Sequence, residues 1–573
     1  MKYIPFIALI GLSLFFINAA TKSRQTKNTP TAEERISAIG CTPPGTDPTK
    51  DLSGRFIPAL SGWGHHRYLI STKQDSAQFF FDQGINFYYS YHFREAQASF
   101  MEAALFDSTS AMVYWGEVLA MGPYYNNYYY KMKPGIPAAL AAMNRHRATA
   151  TEKEQALMDA MQKRYSSDFT NADRIQLDSA YAAAMSGLVT RYPDDDDIKA
   201  LYIDAVMLEH KWDFWRPDGT AKQWTPELIT LCEGILHRND HHPAALHYYI
   251  HLTEASDQPQ RALPYADILK DELPGVGHMI HMATHSYQRN GLYAKGVLVN
   301  EESNTVCNRV DSLAPTLGYG QNSLIHVYAV QSFCAMNAGM YAMGRPVYLR
   351  ARQRCVARTP SFDQDPYSQS VYMLPEIAGV RLGKWDDIML ASAPDPRWKY
   401  AGILYHFARG MANIRQDRLP AARSDLDSLR ANLGDSLLNV RIMPFNKPSQ
   451  CGSIAAGILQ GEIFMKEGRQ EKAIAALQQA IALEDSLIYE EPQQWMLPVR
   501  HYLGAILLKT NKAAEAEALY RQDLVKNPGN GWSLLGLYQS LTMQHRSAEA
   551  AATKIKYQKA FKASDLNPVA SVF

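Results

Sequence analysis

Cysteine is scarce and unpatterned: the chain has six in 573 residues, and none sits in a CxxC spacing. That argues against a thiolate metal site and, at this length, against a fold that depends on disulfide staples. Charge of one sign is missing as well. The 58 basic residues are balanced by 57 acidic ones for a net of +1, with no basic stripe, so nucleic acid is not expected as a partner. Long apolar runs are confined to one place, Ile4 to Ile17, with Lys2 ahead of it and Ala19 and Ala20 behind. This is the pattern of a secretory signal, and the run is short for a membrane span. The first cysteine, Cys41, is too far away for a lipoprotein signal. We expect residues 1–20 to be removed and the protein to be periplasmic or extracellular, with no integral membrane segment left. Alternating strands, a phosphate-binding glycine loop, a nucleophile motif and a paired-carboxylate signature are all absent from the pattern.

What remains is helix. Residues 21–75 read as a mostly disordered polar leader and N-terminal segment. From Ser76 onward helical periodicity runs almost without a break, punctuated by "RYPDDDD", "RPDGT" and "KNPGNG". The acidic run Asp194 to Asp197 reads as a capped helix start; a calcium loop would need alternating ligands and a glycine. A repeat shows in the glycines. Gly84 and Ala96, Gly461 and Ala473, Gly504 and Ala516, and Gly536 and Ala548 are each separated by 12 residues. Small residues at that offset let the two helices of a tetratricopeptide hairpin approach. The expected fold is all-α: a tetratricopeptide-like (TPR-like) α-solenoid, a right-handed superhelix of about a dozen antiparallel helix pairs. One array spans 76–310 and a C-terminal array 311–565, with irregular pairs where the consensus weakens between 140 and 240.

Histidine carries the chemistry. In "HYYIHLTEASDQPQRALPYADILKDELPGVGHMIHMATH", two HxxxH pairs, His247/His251 and His281/His285, are offset from one another by 34 residues. That is the tetratricopeptide period. It places the pairs at equivalent positions on successive first helices of hairpins, and the spacing of four puts each pair on one helical face. The four imidazoles are therefore expected to face one another. Glu254 and His278 join the stripe, with His278 on the rim of the cavity and Glu254 or Tyr287 as a hydrogen-bond partner or base. A transition metal (copper, iron or zinc) suits such a set. The plainer alternatives are polar residues of a ligand groove, or buried histidines satisfied by neighbours.

Longer strings resemble a family. "FDQGINFYYSYHFREAQASFMEAALFDSTSAMVYWGEVLAMGPYYN", the HxxxH block, "YHFARGMANIRQDRL" and "NPGNGWSLLGLYQSL" are similar to segments of exported bacterial tetratricopeptide-repeat proteins, over nearly all of residues 62–563. The resemblance implies an exported solenoid and adds three histidines to the candidate metal set. These are the pair His65 and His66 in "GWGHHRYLI", and His326 in "NSLIHVYAV", also on the rim. Members often have a further histidine where this chain has Ser323. Two functions follow as expectations. One is a scaffold holding a protein, peptide or cell-envelope ligand in its concave groove, with or without a histidine-bound metal. The other is a metal-dependent enzyme with its site in that groove.

Overall fold

The computed structural model describes residues 47–573 except 127–129, 169–172, 315–316, 318–319, 359–361 and 442–444. The segment expected to be a signal, most of the expected leader and Cys41 lie outside the described residues, as does the side chain of Ser323. Apart from one isolated bridge between Trp215 and Ala221, every regular element described is a helix. They run as hairpins, from Asp75–Tyr89 with Phe93–Phe106 at one end to Gly531–Met543 with Ser547–Ala560 at the other. Among the described residues, no helix is long and apolar enough to cross a membrane.

The glycines explain the pairing. A Cβ on Gly84 would come within 2.6 Å of the Phe100 ring, and one on Gly116, in the next hairpin, within 2.5 Å of the same ring. Tyr520 is lodged in the same way between Gly504 and Gly536, and Leu477 packs on Gly461. One bulky side chain of a second helix thus sits between the bare backbones of two successive first helices, which is the packing the 12-residue offset predicts. Many of the hairpin turns share a residue with positive φ. It is Gly291 (71°), Gly339 (69°), Gly468 (75°), Asn511 (61°) or Asp417 (59°), but Tyr91 (57°) and Trp212 (52°) in two turns near the N-terminus. Asp195 caps Asp196–Glu209 by accepting from the Ile198 amide at 3.0 Å, so the acidic run is a helix start as expected. Irregular backbone occurs in the middle, where residues 210–224 form a long connection carrying the bridge.

Buried apolar side chains form two clusters, one from Ile57 to Leu317 and one from Tyr293 to Ala550. The C-terminal hairpins turn back onto the middle of the chain. Arg289 donates to the Lys526 carbonyl at 2.8 Å, Asn530 donates to Asn337 at 3.2 Å, and the Tyr341 amide donates to Asp565 at 2.8 Å. Gly291 lies directly against the backbone of Pro528 and Gly529, where a side chain has no room. The described cysteines (Cys232, Cys307, Cys334, Cys355, Cys451) are all buried.

Candidate metal centre

Three helices supply the site: Pro243–Thr253, Gly277–Arg289 and Gly320–Ala338. The HxxxH pairs do lie on adjacent first helices, but they do not merge into one four-histidine set. Each pair takes a third imidazole from the following helix. His247 and His251 group with His278, and His281 and His285 group with His326; within each group the ligand nitrogens lie within 4.8 Å of one another. His278 is therefore a member of the first triad and not a rim residue, a correction with a simple cause. A helical side chain leans toward the helix N-terminus, so a histidine three residues before His281 reaches back to the preceding helix. The two triads adjoin: the His251 and His285 rings are 6.2 Å apart, as are those of His278 and His281.

The hydrogen bonds decide which nitrogens face inward. His247 donates from Nδ1 to the Tyr89 carbonyl at 2.7 Å. His251 donates from Nδ1 to Glu254 Oε1 at 3.1 Å. His281 donates from Nδ1 to Asn300 Oδ1 at 2.6 Å, an orientation fixed because the Asn300 amide nitrogen donates to Thr284 and to the Gly296 carbonyl. A neutral imidazole has one proton, so in these three Nε2 carries a lone pair that faces inward and can only accept. Across the first triad, His278 Nε2 lies 3.3 Å from His247 Nε2; across the second, His285 Nε2 lies 3.0 Å from His281 Nε2. Ligands of a tetrahedral ion at 2.0–2.1 Å are separated by about 3.3 Å. His251 Nε2 is buried with no hydrogen-bond partner at all. That orphaned lone pair fits a metal and is costly without one.

Burial holds His247, His278 and His281 well below the ordinary imidazole value, with neighbouring imidazoles adding to the effect, and brings His326 down to about 4. All four are neutral at pH 7. His285 differs: burial pulls it down, but the carboxylates of Glu491 and Glu254 outweigh burial and raise it. Glu254 sits between the triads, its second oxygen 3.3 Å from His285 Nδ1, and Tyr489 donates to it at 3.2 Å. Burial works against its charge, but His285 and the hydrogen bonds from His251 and His285 keep it ionised. It acts on the outer nitrogens of His251 and His285, and its own oxygens also lie within 4.8 Å of ligand atoms of His251 and Glu491, a third grouping able to hold an ion.

The remaining expected residues fall elsewhere. His65 is exposed and enters neither triad. His66 donates from Nε2 to Asp197 at 2.8 Å, beside Tyr89, whose hydroxyl donates to the same oxygen, and His242 at 3.5 Å. His242 Nδ1 accepts from the Ala245 amide, so its Nε2 carries the proton and is not available to a metal. This group is a hydrogen-bonded clamp on Tyr89, whose carbonyl orients His247. Tyr287 donates to Asp267 at 2.6 Å and is not a partner of the centre. Nor is this face an open groove: His247 and His281 are both 0% exposed, and Tyr489 and Glu491 of the C-terminal half cover it.

Sequence reasoning missed Asn300, Glu491 and the Tyr89 carbonyl. Asn300 carries a faint signal, a polar residue within the second helix of the same hairpin. Glu491 has none, because it is brought in from 206 residues beyond His285.

Fold and site together define an all-α helical-repeat protein with an enclosed histidine–carboxylate cluster. No family model and no curated protein matches the chain. Among solved structures it is similar to the Cut9–Hcn1 hetero-tetramer of the APC/C, at 12% identity over 86% of this chain and 76% of that one, with a TM-score of 0.29. The human IFIT1 dimer with m7Gppp-AAAA matches at 11% identity over 86% and 91%, with a TM-score of 0.31, and yeast Tom70 at 11% over 85% and 90%, with 0.26. At such scores the likeness carries nothing about this chain's function.

Proposed function

We propose that this chain is an exported metalloenzyme whose enclosed centre binds two transition-metal ions, one per histidine triad, to activate water or dioxygen. The observation that supports it is the set of inward Nε2 lone pairs on His247, His251 and His281, each fixed by an outer hydrogen bond from Nδ1 to a carbonyl or carboxylate, as metal-ligating histidines are. His247, His251 and His278 would hold one ion; His281, His285 and His326 would hold the other. Imidazole suits copper, iron and zinc. Three protein ligands per ion is the count of a catalytic site, which keeps a position open, and not of a closed structural one. When bound, the ions supply Lewis-acid or redox chemistry there. Glu254 joins the two sites by taking the Nδ1 protons of His251 and His285, and Tyr489 and Glu491 shut out bulk water.

Elemental analysis of the untagged protein, loaded with metal and freed of excess, tests this. Two equivalents per chain are expected, and His251→Ala with His285→Ala should abolish uptake while helical content stays unchanged by circular dichroism. Less than one equivalent in the wild type would sink the reading. The other reading, a scaffold holding a protein, peptide or cell-envelope ligand along the stacked first helices, rests on the hairpin array itself; it needs no metal, so the same measurement separates the two. Export rests on the apolar run of residues 4–17, and N-terminal sequencing of native protein should start near Ala20 or Thr21.

A further inference from the structure

Tyr91 is a bulky residue in a place built for a small one. It occupies the hairpin turn after Asp75–Tyr89 with φ of 57°, where most turns of the array use glycine, asparagine or aspartate and Trp212 and His545 are the other large residues. For a side chain of this size that conformation is strained, and such strain concentrates at functional sites. The ring is 0% exposed. It lies 4.3 Å from the His247 ring and 5.9 Å from those of both His251 and His278, against all three members of the first triad. Its hydroxyl is buried with no hydrogen-bond partner. An unpaired phenol inside a shell of aromatic rings is unfavourable unless something arrives to accept from it. Packing alone would be served by phenylalanine, and the turn alone by glycine or asparagine. A three-histidine site leaves an open coordination position, and what fills it is an oxygen or nitrogen ligand with lone pairs to spare.

We infer that Tyr91 donates a hydrogen bond to the exogenous ligand, water, hydroxide or a small anion, that occupies the open position of the His247–His251–His278 site. The inference rests on the metal reading above. The test uses Tyr91→Phe, which keeps the ring and removes only the hydroxyl. Full-length wild type and variant are loaded with copper(II), their metal is counted, and azide is titrated in by its charge-transfer absorption. Both proteins are expected to hold two equivalents and melt together, while the variant binds azide about tenfold more weakly at one of two sites. Equal azide affinity in the two proteins overturns the role of Tyr91 and leaves the metal reading standing. Loss of metal from the variant also overturns it, assigning Tyr91 to holding the cavity in shape. Failure of the wild type to take up copper removes both.

Discussion

Glu254 shows how much one side chain organises. Its two oxygens face His251 in one triad and His285 in the other. Glutamine there offers one acceptor and one donor, so one of the two Nδ1–H groups would meet an N–H. We expect Glu254→Gln to weaken one of two metal equivalents by about 10–100-fold and leave the other near normal, read as a biphasic metal titration. A second buried carboxyl, Glu484, reports on pH and lies outside the centre. Burial, with the charge of Asp523, pushes it up to about 8. Because the folded-state value is raised, its stabilising share is complete below the unfolded value near 4.5 and is lost as pH rises through 8. Wild type should therefore melt progressively lower between about pH 5 and 8 and level off above that. Glu484→Gln, which keeps an acceptor for the Val499 amide, should flatten that slope; parallel slopes would show that this carboxyl is not the cause. At this scale the sequence was only half legible. The histidines announced themselves by period, but the nitrogen each turns inward depends on Tyr89, Asn300 and Glu254. Of these only Glu254 stands near enough in sequence to be picked out.

At the level of helices, the glycines separate packing from flexibility. Gly536 lies directly beneath the Tyr520 ring, whereas a Cβ at Gly234, on the helix Thr225–Arg238, would meet nothing within 4 Å. Gly536→Ala should then cost about 1–3 kcal/mol through overpacking. Gly234→Ala should be neutral or stabilise by up to about 1 kcal/mol through the unfolded chain. Chemical denaturation of both variants checks the contrast, and equal effects would mean the repeat glycines are not contact points. The hairpins were the most legible part of the chain, since a 12-residue offset between small residues is a local rule. Helix crossing was not legible. Hence His278 was read as a rim residue although it completes a triad, and His66, which pairs with Asp197 beside His242, was grouped with triad histidines it does not join.

For the whole molecule, the decisive contacts are those that bring the C-terminal half over the centre: Tyr489 on Glu254, Glu491 on His285, and Arg289 on the Lys526 carbonyl. A metal that binds only the closed form must stabilise it, by about 2.7 kcal/mol per site at one hundred times the dissociation constant. Metal-loaded protein should melt several degrees above chelator-treated protein, and the transition should carry the helices of both halves together. Identical melting with and without metal would count against a centre shared by the two halves. Sequence could not show this closure, because nothing in "IYEEPQQW" points to a partner two hundred residues upstream. The same contact sets an order of events in time. His285 meets Glu491 only after the chain as far as residue 491 has been made and folded. A polypeptide threaded unfolded through an export channel carries none of this cluster in assembled form. On this reading the protein arrives empty and is charged at its destination, so the metal it holds is set by the supply in that compartment and not by the supply where it is synthesised.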